Sequence, residues 1–223
     1  APKGFTVVDK DGYATYGSSV IKYPNHCAPY AFVVINVTPE CADWRNVYPR
    51  SGNQVLAAMA SPSGAVSDWI ISPLMQATVD SRFRFFGKSY ATDDEFNDFT
   101  PHYFSVLVST TDTNPESFET VKAKTALAYS EEGAFTEYTV DLSKYAGQNV
   151  YVALQHTAET TAYVAFFDDF YYEHFKFGQG GLTRLTSERI VATPHPTTDV
   201  VRFSANDVEQ IDIVSAAGAL VRR

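Results

Sequence analysis

The chain has 223 residues, 45% hydrophobic and 14% aromatic, enough for one large domain or one domain with a small appendage. Its net charge of −9 argues against a nucleic-acid binder, which normally carries a basic face, and gives no reason to expect attachment to an anionic membrane. No apolar stretch approaches the roughly 20 residues needed to cross a bilayer. The charge is uneven: from Gly178 onward five arginines balance five acids, so the acidic excess lies in residues 1–177. Ala1-Pro-Lys-Gly reads as an N-terminus left after processing.

Phe, Tyr, Val and Thr favour strands, and helical periodicity is hard to find, so the chain reads as all-β. Phe5–Val8 is a first short strand, ended by Asp9-Lys-Asp-Gly. Tyr30–Val37 reads as a buried strand and Trp44–Gly52 as a loop, followed by a strand over Val55–Ala60 and a Ser-Pro-Ser-Gly turn. Asp68–Met75 is a further strand with Pro73 at its edge. From Ala77 to Gly87 the residues alternate, with Val79, Phe83 and Phe85 on one face and Asp80, Arg82 and Arg84 on the other. Asp93-Asp-Glu95 with Asp98 reads as a solvated loop. His102–Thr110 alternates likewise and turns at Asp112-Thr-Asn-Pro115; Phe135–Leu142, Asn149–His156 and Tyr163–Tyr172 complete the set. Nine or ten strands, without a repeat period or a Gly-rich phosphate loop, imply an antiparallel sandwich.

The stretch Ala162–Tyr172 sets two adjacent acids, Asp168 and Asp169, inside an aromatic run. Successive strand side chains face opposite ways, so one acid turns to the packed side or the mouth of the sheet. A carboxylate among Phe166, Phe167, Phe170 and Tyr171 is costly unless a cation meets it. Asp9-Lys-Asp-Gly-Tyr13 supplies a second acidic cluster. The two clusters could close around a calcium ion; equally, the acids could be exposed turn residues at strand ends.

Cys27 and Cys41 are spaced compatibly with a disulfide in an exported protein. A catalytic thiol would need a histidine close in space, and His26 is only a sequence neighbour. His26, His102, His156, His174 and His195 are scattered, with neither a zinc-protease pair nor a nucleophile elbow, and His156 and His174 read as polar strand residues. Trp69 reads as core. Trp44, in a loop, is the better candidate to stack on a sugar ring.

The order of motifs resembles a known family. It comprises Phe5…Asp9-x-Asp-Gly-Tyr13, Gly52…Ala57-Ala-Met-Ala-Ser61, Asp68-Trp-Ile-Ile-Ser-Pro73, Phe135-x-x-Tyr-x-Val-Asp-Leu-Ser-x-Tyr-Ala-Gly-Gln148, Val150-Tyr-Val-Ala-Leu-x-His156 and Phe166-Phe-Asp-Asp-Phe170. Over residues 4–176 the chain resembles a cleaved-adhesin domain, the jelly roll of haemagglutinin and gingipain adhesin regions, related in shape to galactose-binding-like domains. The resemblance implies an extracellular, non-enzymatic module with a structural calcium ion. By position its ligands would be Asp9, Asp11, Asn53 or a neighbouring carbonyl, and Asp168 or Asp169. Calcium takes six to eight oxygens in a forgiving geometry. Tyr13 stands where family loops often place a further acid.

After the linker-like Gly178-Gln-Gly-Gly181 come Thr193-Pro-His-Pro and Val214-Ser-Ala-Ala-Gly218, which are similar to motifs of the C-terminal sorting domain of the type IX secretion system. The expected division is a jelly roll over 1–177, a linker over 178–185 and a partial, immunoglobulin-like sorting domain over 186–223. These resemblances imply a secreted adhesin on the outer surface of a Gram-negative bacterium, with a host glycan or an extracellular protein as partner. The alternative is a carbohydrate-binding accessory domain of an extracellular hydrolase.

Overall fold

A computed structural model of the chain describes residues 4–17, 27–37, 48–90, 100–129 and 133–173, together with four short strands beyond them. The chain divides into two compact units, Ala1–Lys176 and Phe177–Arg223.

The first unit is built on β1 (Thr6–Asp9), β2 (Val33–Asn36), β3 (Gln54–Met59), β4 (Val66–Ile71), β5 (Met75–Gln76), β6 (Arg82–Ser89), β7 (Tyr103–Ser109), β8 (Glu119–Ala126), β9 (Thr136–Asp141), β10 (Asn149–Ala158) and β11 (Val164–Glu173). One sheet runs in the order β1-β4-β10-β7-β8, with β5 also paired to β10; the other runs β2-β3-β11-β6-β9. Neighbouring strands pair antiparallel, which makes the expected sandwich. Its core forms where the alternating inward residues of both sheets meet. Ile70, Phe104, Val106, Val152 and Leu154 come from the first sheet, and Leu56, Ala58, Phe83, Phe85, Ala165 and Phe167 from the second. Trp69 is core, as its apolar neighbours suggest.

Two details differ from the sequence reading. Val79 does not share a face with Phe83 and Phe85: β6 starts only at Arg82, after a turn in which the Ser81 amide donates to the Thr78 carbonyl, and Val79 is left exposed. Strand β8, Glu-Thr-Val-Lys-Ala-Lys-Thr-Ala, was not anticipated, because it lacks an apolar face. It is an edge strand whose lysines and exposed Thr120 suit a sheet margin.

In the second unit β12 (Val191–Thr193) pairs with β13 (Arg202–Ser204), and β14 (Ile213–Val214) pairs with β15 (Leu220–Arg222), both antiparallel. The β14–β15 pair flanks the Val214–Gly218 segment. The expected linker over 178–185 and the Pro-His-Pro segment lie outside the described residues.

Candidate metal centre

Period-two alternation decides which polar groups enter the sandwich. On β4, Asp68 is in phase with Val66 and Ile70; on β10, His156 is in phase with Val152 and Leu154. Antiparallel register then aligns Asp9 of edge strand β1 with Asp68, Asp68 with His156, and His156 with Phe104 of β7. A row of polar groups thus runs inward from the edge of the first sheet.

Beyond Asp9 the chain turns back on itself. Asp9 Oδ1 accepts the amides of Asp11 (3.1 Å) and Gly12 (2.7 Å), and Asp11 Oδ1 accepts the Tyr13 amide (3.0 Å). Gly12 supplies the left-handed φ of 66° that closes the turn. The second Asp11 oxygen accepts the Ser67 amide of the adjacent strand at 2.6 Å, which pins the loop beside Asp68. As a result Asp9, Asp11 and Asp68 each offer a carboxylate oxygen, and these oxygens lie within 4.8 Å of one another.

Asp68 is 1% exposed. Burial, reinforced by the Asp11 and then the Asp9 charge, pushes its carboxyl up to about 9. The neighbouring cation does not relieve it: Lys10 Nζ binds Glu116 at 3.0 Å and lies 5.7 Å from the Trp69 ring centre. Three clustered carboxylates, one of them buried, are the hard oxygen donors that suit a divalent cation of the calcium type, with carbonyls and water completing the shell.

Behind Asp68 lies a buried relay. Asp68 Oδ2 stands 3.4 Å from His156 Nδ1, and His156 Nε2 stands 2.7 Å from His102 Nδ1. Both imidazoles are fully buried. Burial drives His156 down to about 3; burial and then the His156 neighbour drive His102 well below its ordinary value. Among the described residues His102 Nε2 has no hydrogen-bond partner. A carboxylate followed by imidazoles is also an order seen in acid–base catalysis, but these rings have no access for a substrate.

The remaining expected ligands sit elsewhere. A bulge interrupts the β11–β6 pairing between Asp168 and Tyr171, and Asp169 takes a left-handed φ of 48°. There the Arg50 guanidinium binds Asp169 Oδ2, and the Ser51 hydroxyl donates to Asp169 Oδ1 at 2.6 Å. The Arg50 amide donates to Asp168 Oδ2 at 2.8 Å. Arg50 also stacks on the Phe86 ring, 3.5 Å from its centre. Burial works to raise the Asp169 carboxyl, but Ser51 and Arg50 together hold it below the usual value. The cationic group that meets Asp169 is thus the Arg50 guanidinium, while Asp168 accepts a backbone amide.

Phe170 packs against Phe5 at 6.2 Å, just before β1, whereas Asp9 ends that strand. Four residues of strand rise put roughly 13 Å between these levels. Asn53 is exposed and its carbonyl accepts the Val37 amide at 2.9 Å. The structure thus brings Asp9 and Asp11 together with Asp68, and sets Asp168, Asp169 and Asn53 apart. Trp44 and Cys41 lie outside the described residues.

The sequence reading missed Asp68, His156 and His102 as site residues. Their phase was the available signal: each falls on an inward position of an alternating strand or its lead-in. His156 is accordingly no ordinary polar strand residue.

Fold and site together define an antiparallel β-sandwich with a candidate cation centre at one sheet edge. No protein-family model and no curated protein matches the chain. Among solved structures it is similar to the K2 cleaved adhesin domain of Lys-gingipain, with 18% identity and a TM-score of 0.51 over 78% of this chain and 92% of that one. The K1 domain of Lys-gingipain from Porphyromonas gingivalis W83 gives 14% identity and a TM-score of 0.52 over 79% and 94% of the two chains. The K3 domain from the same organism gives 15% and 0.52 over 77% and 92%. At these identities the likeness is one of fold. Among the described residues no helix is long and apolar enough to cross a membrane.

Proposed function

We propose that the chain is a secreted, surface-attached bacterial adhesin module whose sandwich is stabilised by calcium. The observation that carries the calcium reading is the convergence of Asp9, Asp11 and Asp68, with Asp68 buried and lacking a counter-charge among the described residues. An ion there would tie edge strand β1 and its loop to β4, and through linkage would stabilise the folded state alone. The likeness in fold to cleaved adhesin domains supports a binding role outside the cell, with a glycan or an extracellular protein as partner. The resemblance of Thr193-Pro-His-Pro and Val214–Gly218 to sorting motifs supports export and surface attachment through the second unit.

The test is binding of the purified protein to a glycan array and to a panel of matrix proteins, in calcium and again in chelator. Saturable binding to a defined glycan or matrix protein supports the adhesin reading. Binding to none of them in either condition overturns it.

A further inference from the structure

We infer that His156, backed by His102, is a positioning residue for the cation site, holding the Asp68 carboxylate in line with Asp9 and Asp11. This rests on the calcium reading above.

Three polar side chains in contact, with 1%, 0% and 0% exposure for Asp68, His156 and His102, are an expensive thing to place inside a sandwich. A purely structural position would take a leucine at lower cost. The ring of His156 is fixed by its packing: it lies edge-on to Phe32 (6.2 Å) and to Phe167 (6.3 Å), and its plane is within 22° of that of its hydrogen-bond partner His102. With the ring locked, Nδ1 has one direction to offer a hydrogen, and Asp68 Oδ2 lies 3.4 Å along it.

Donor order along the relay then follows. A carboxylate only accepts, so Asp68 as a cation ligand requires the proton of neutral His156 on Nδ1. His156 Nε2 is left as the acceptor, and the 2.7 Å contact requires His102 to carry its proton on Nδ1. His102 Nε2 is then a lone pair, and it is the relay atom with no partner among the described residues. The His102 backbone is held in turn by its amide donating to Ser89 Oγ at 3.1 Å. Outer-shell groups of this kind orient metal ligands, and their loss lowers metal affinity by roughly 10–100-fold.

The test separates the two ring nitrogens. His156→Asn places an amide N–H where Nδ1 stands, whereas His156→Gln places one where Nε2 stands. Calcium affinity is measured by titration calorimetry on the wild-type chain and both variants, and the imidazole tautomers of the wild type by nitrogen-15 NMR in calcium. Expected are near wild-type affinity for His156→Asn, a loss of roughly tenfold or more for His156→Gln, and a proton on Nδ1 of both histidines. Equal affinities in the two variants, a greater loss in His156→Asn, or a proton on His156 Nε2 overturns the inference while leaving the cation site standing. No calcium binding by the wild type overturns the cation reading, and this inference falls with it.

Discussion

Replacing Asp68 by Asn tests the electrostatics of the site most sharply, because it fixes the side chain in an uncharged form with almost no change in volume. In chelator the folded chain holds the Asp68 proton up to about pH 9, whereas the unfolded chain releases it near 3.8. A folded value raised above the unfolded one supports folding fully below the unfolded value, and that support is lost as pH rises towards the folded value. Relative to an uncharged side chain, the metal-free protein is then penalised at pH 7 by about 4 kcal/mol, at roughly 1.4 kcal/mol per pH unit. For a chain of this size that corresponds to roughly 8–16 °C in melting temperature. The assay is a melt series of both proteins in chelator from pH 7 to 9, repeated in calcium. In chelator Asp68→Asn should melt higher than wild type, by a margin that widens as pH rises; Lys88, which burial lowers to about 8, titrates in both proteins and cancels in the difference. In calcium the wild type should recover and the variant should not respond. An Asp68→Asn protein that melts below wild type in chelator, or that still gains from calcium, refutes the reasoning.

Asp169→Ala removes the acceptor for Arg50 and Ser51 and should cost about 1–3 kcal/mol in urea unfolding. It should leave the calcium-induced gain in melting temperature unchanged; loss of that gain would return Asp169 to the cation site. The two buried histidines are neutral when folded, with values depressed by burial. They support folding above pH 6.5 and withdraw that support as pH falls towards 3. His156→Leu should therefore show a shallower loss of urea midpoint between pH 6.5 and 4.5 than wild type, and equal slopes would count against a buried neutral ring. In the core, a Cβ at Gly87 would meet Leu127 Cδ2 at 2.8 Å and Phe167 Cδ1 at 3.4 Å. Gly87→Ala should thus destabilise by about 1–3 kcal/mol, read from denaturant unfolding.

Alternation made most of the sandwich legible. Val150, Val152, Leu154, His156 and Ala158 all point inward from β10, as a period of two requires. The method failed where a strand has no apolar face to betray it, at β8, and where a turn breaks the phase, at Val79. The site was half legible for a related reason. Asp9 and Asp11 announce a turn by composition, but their partner depends on which strand pairs with β1, and strand order is not written in periodicity. Joining first and last strands suggested Asp168 and Asp169; the register instead delivers Asp68 from β4. Asp168 and Asp169 are half-buried, and an arginine side chain meets Asp169. The group that meets it, Arg50, lies 118 residues away in sequence from Asp168.

The most direct measurement is calorimetric titration of calcium into the wild-type chain, Asp68→Asn and Asp169→Asn. The account predicts saturable binding by the wild type, its abolition in Asp68→Asn, and its survival in Asp169→Asn. Absence of binding in the wild type, or its loss through Asp169 with Asp68→Asn unaffected, would contradict the placement of the ion between β1 and β4.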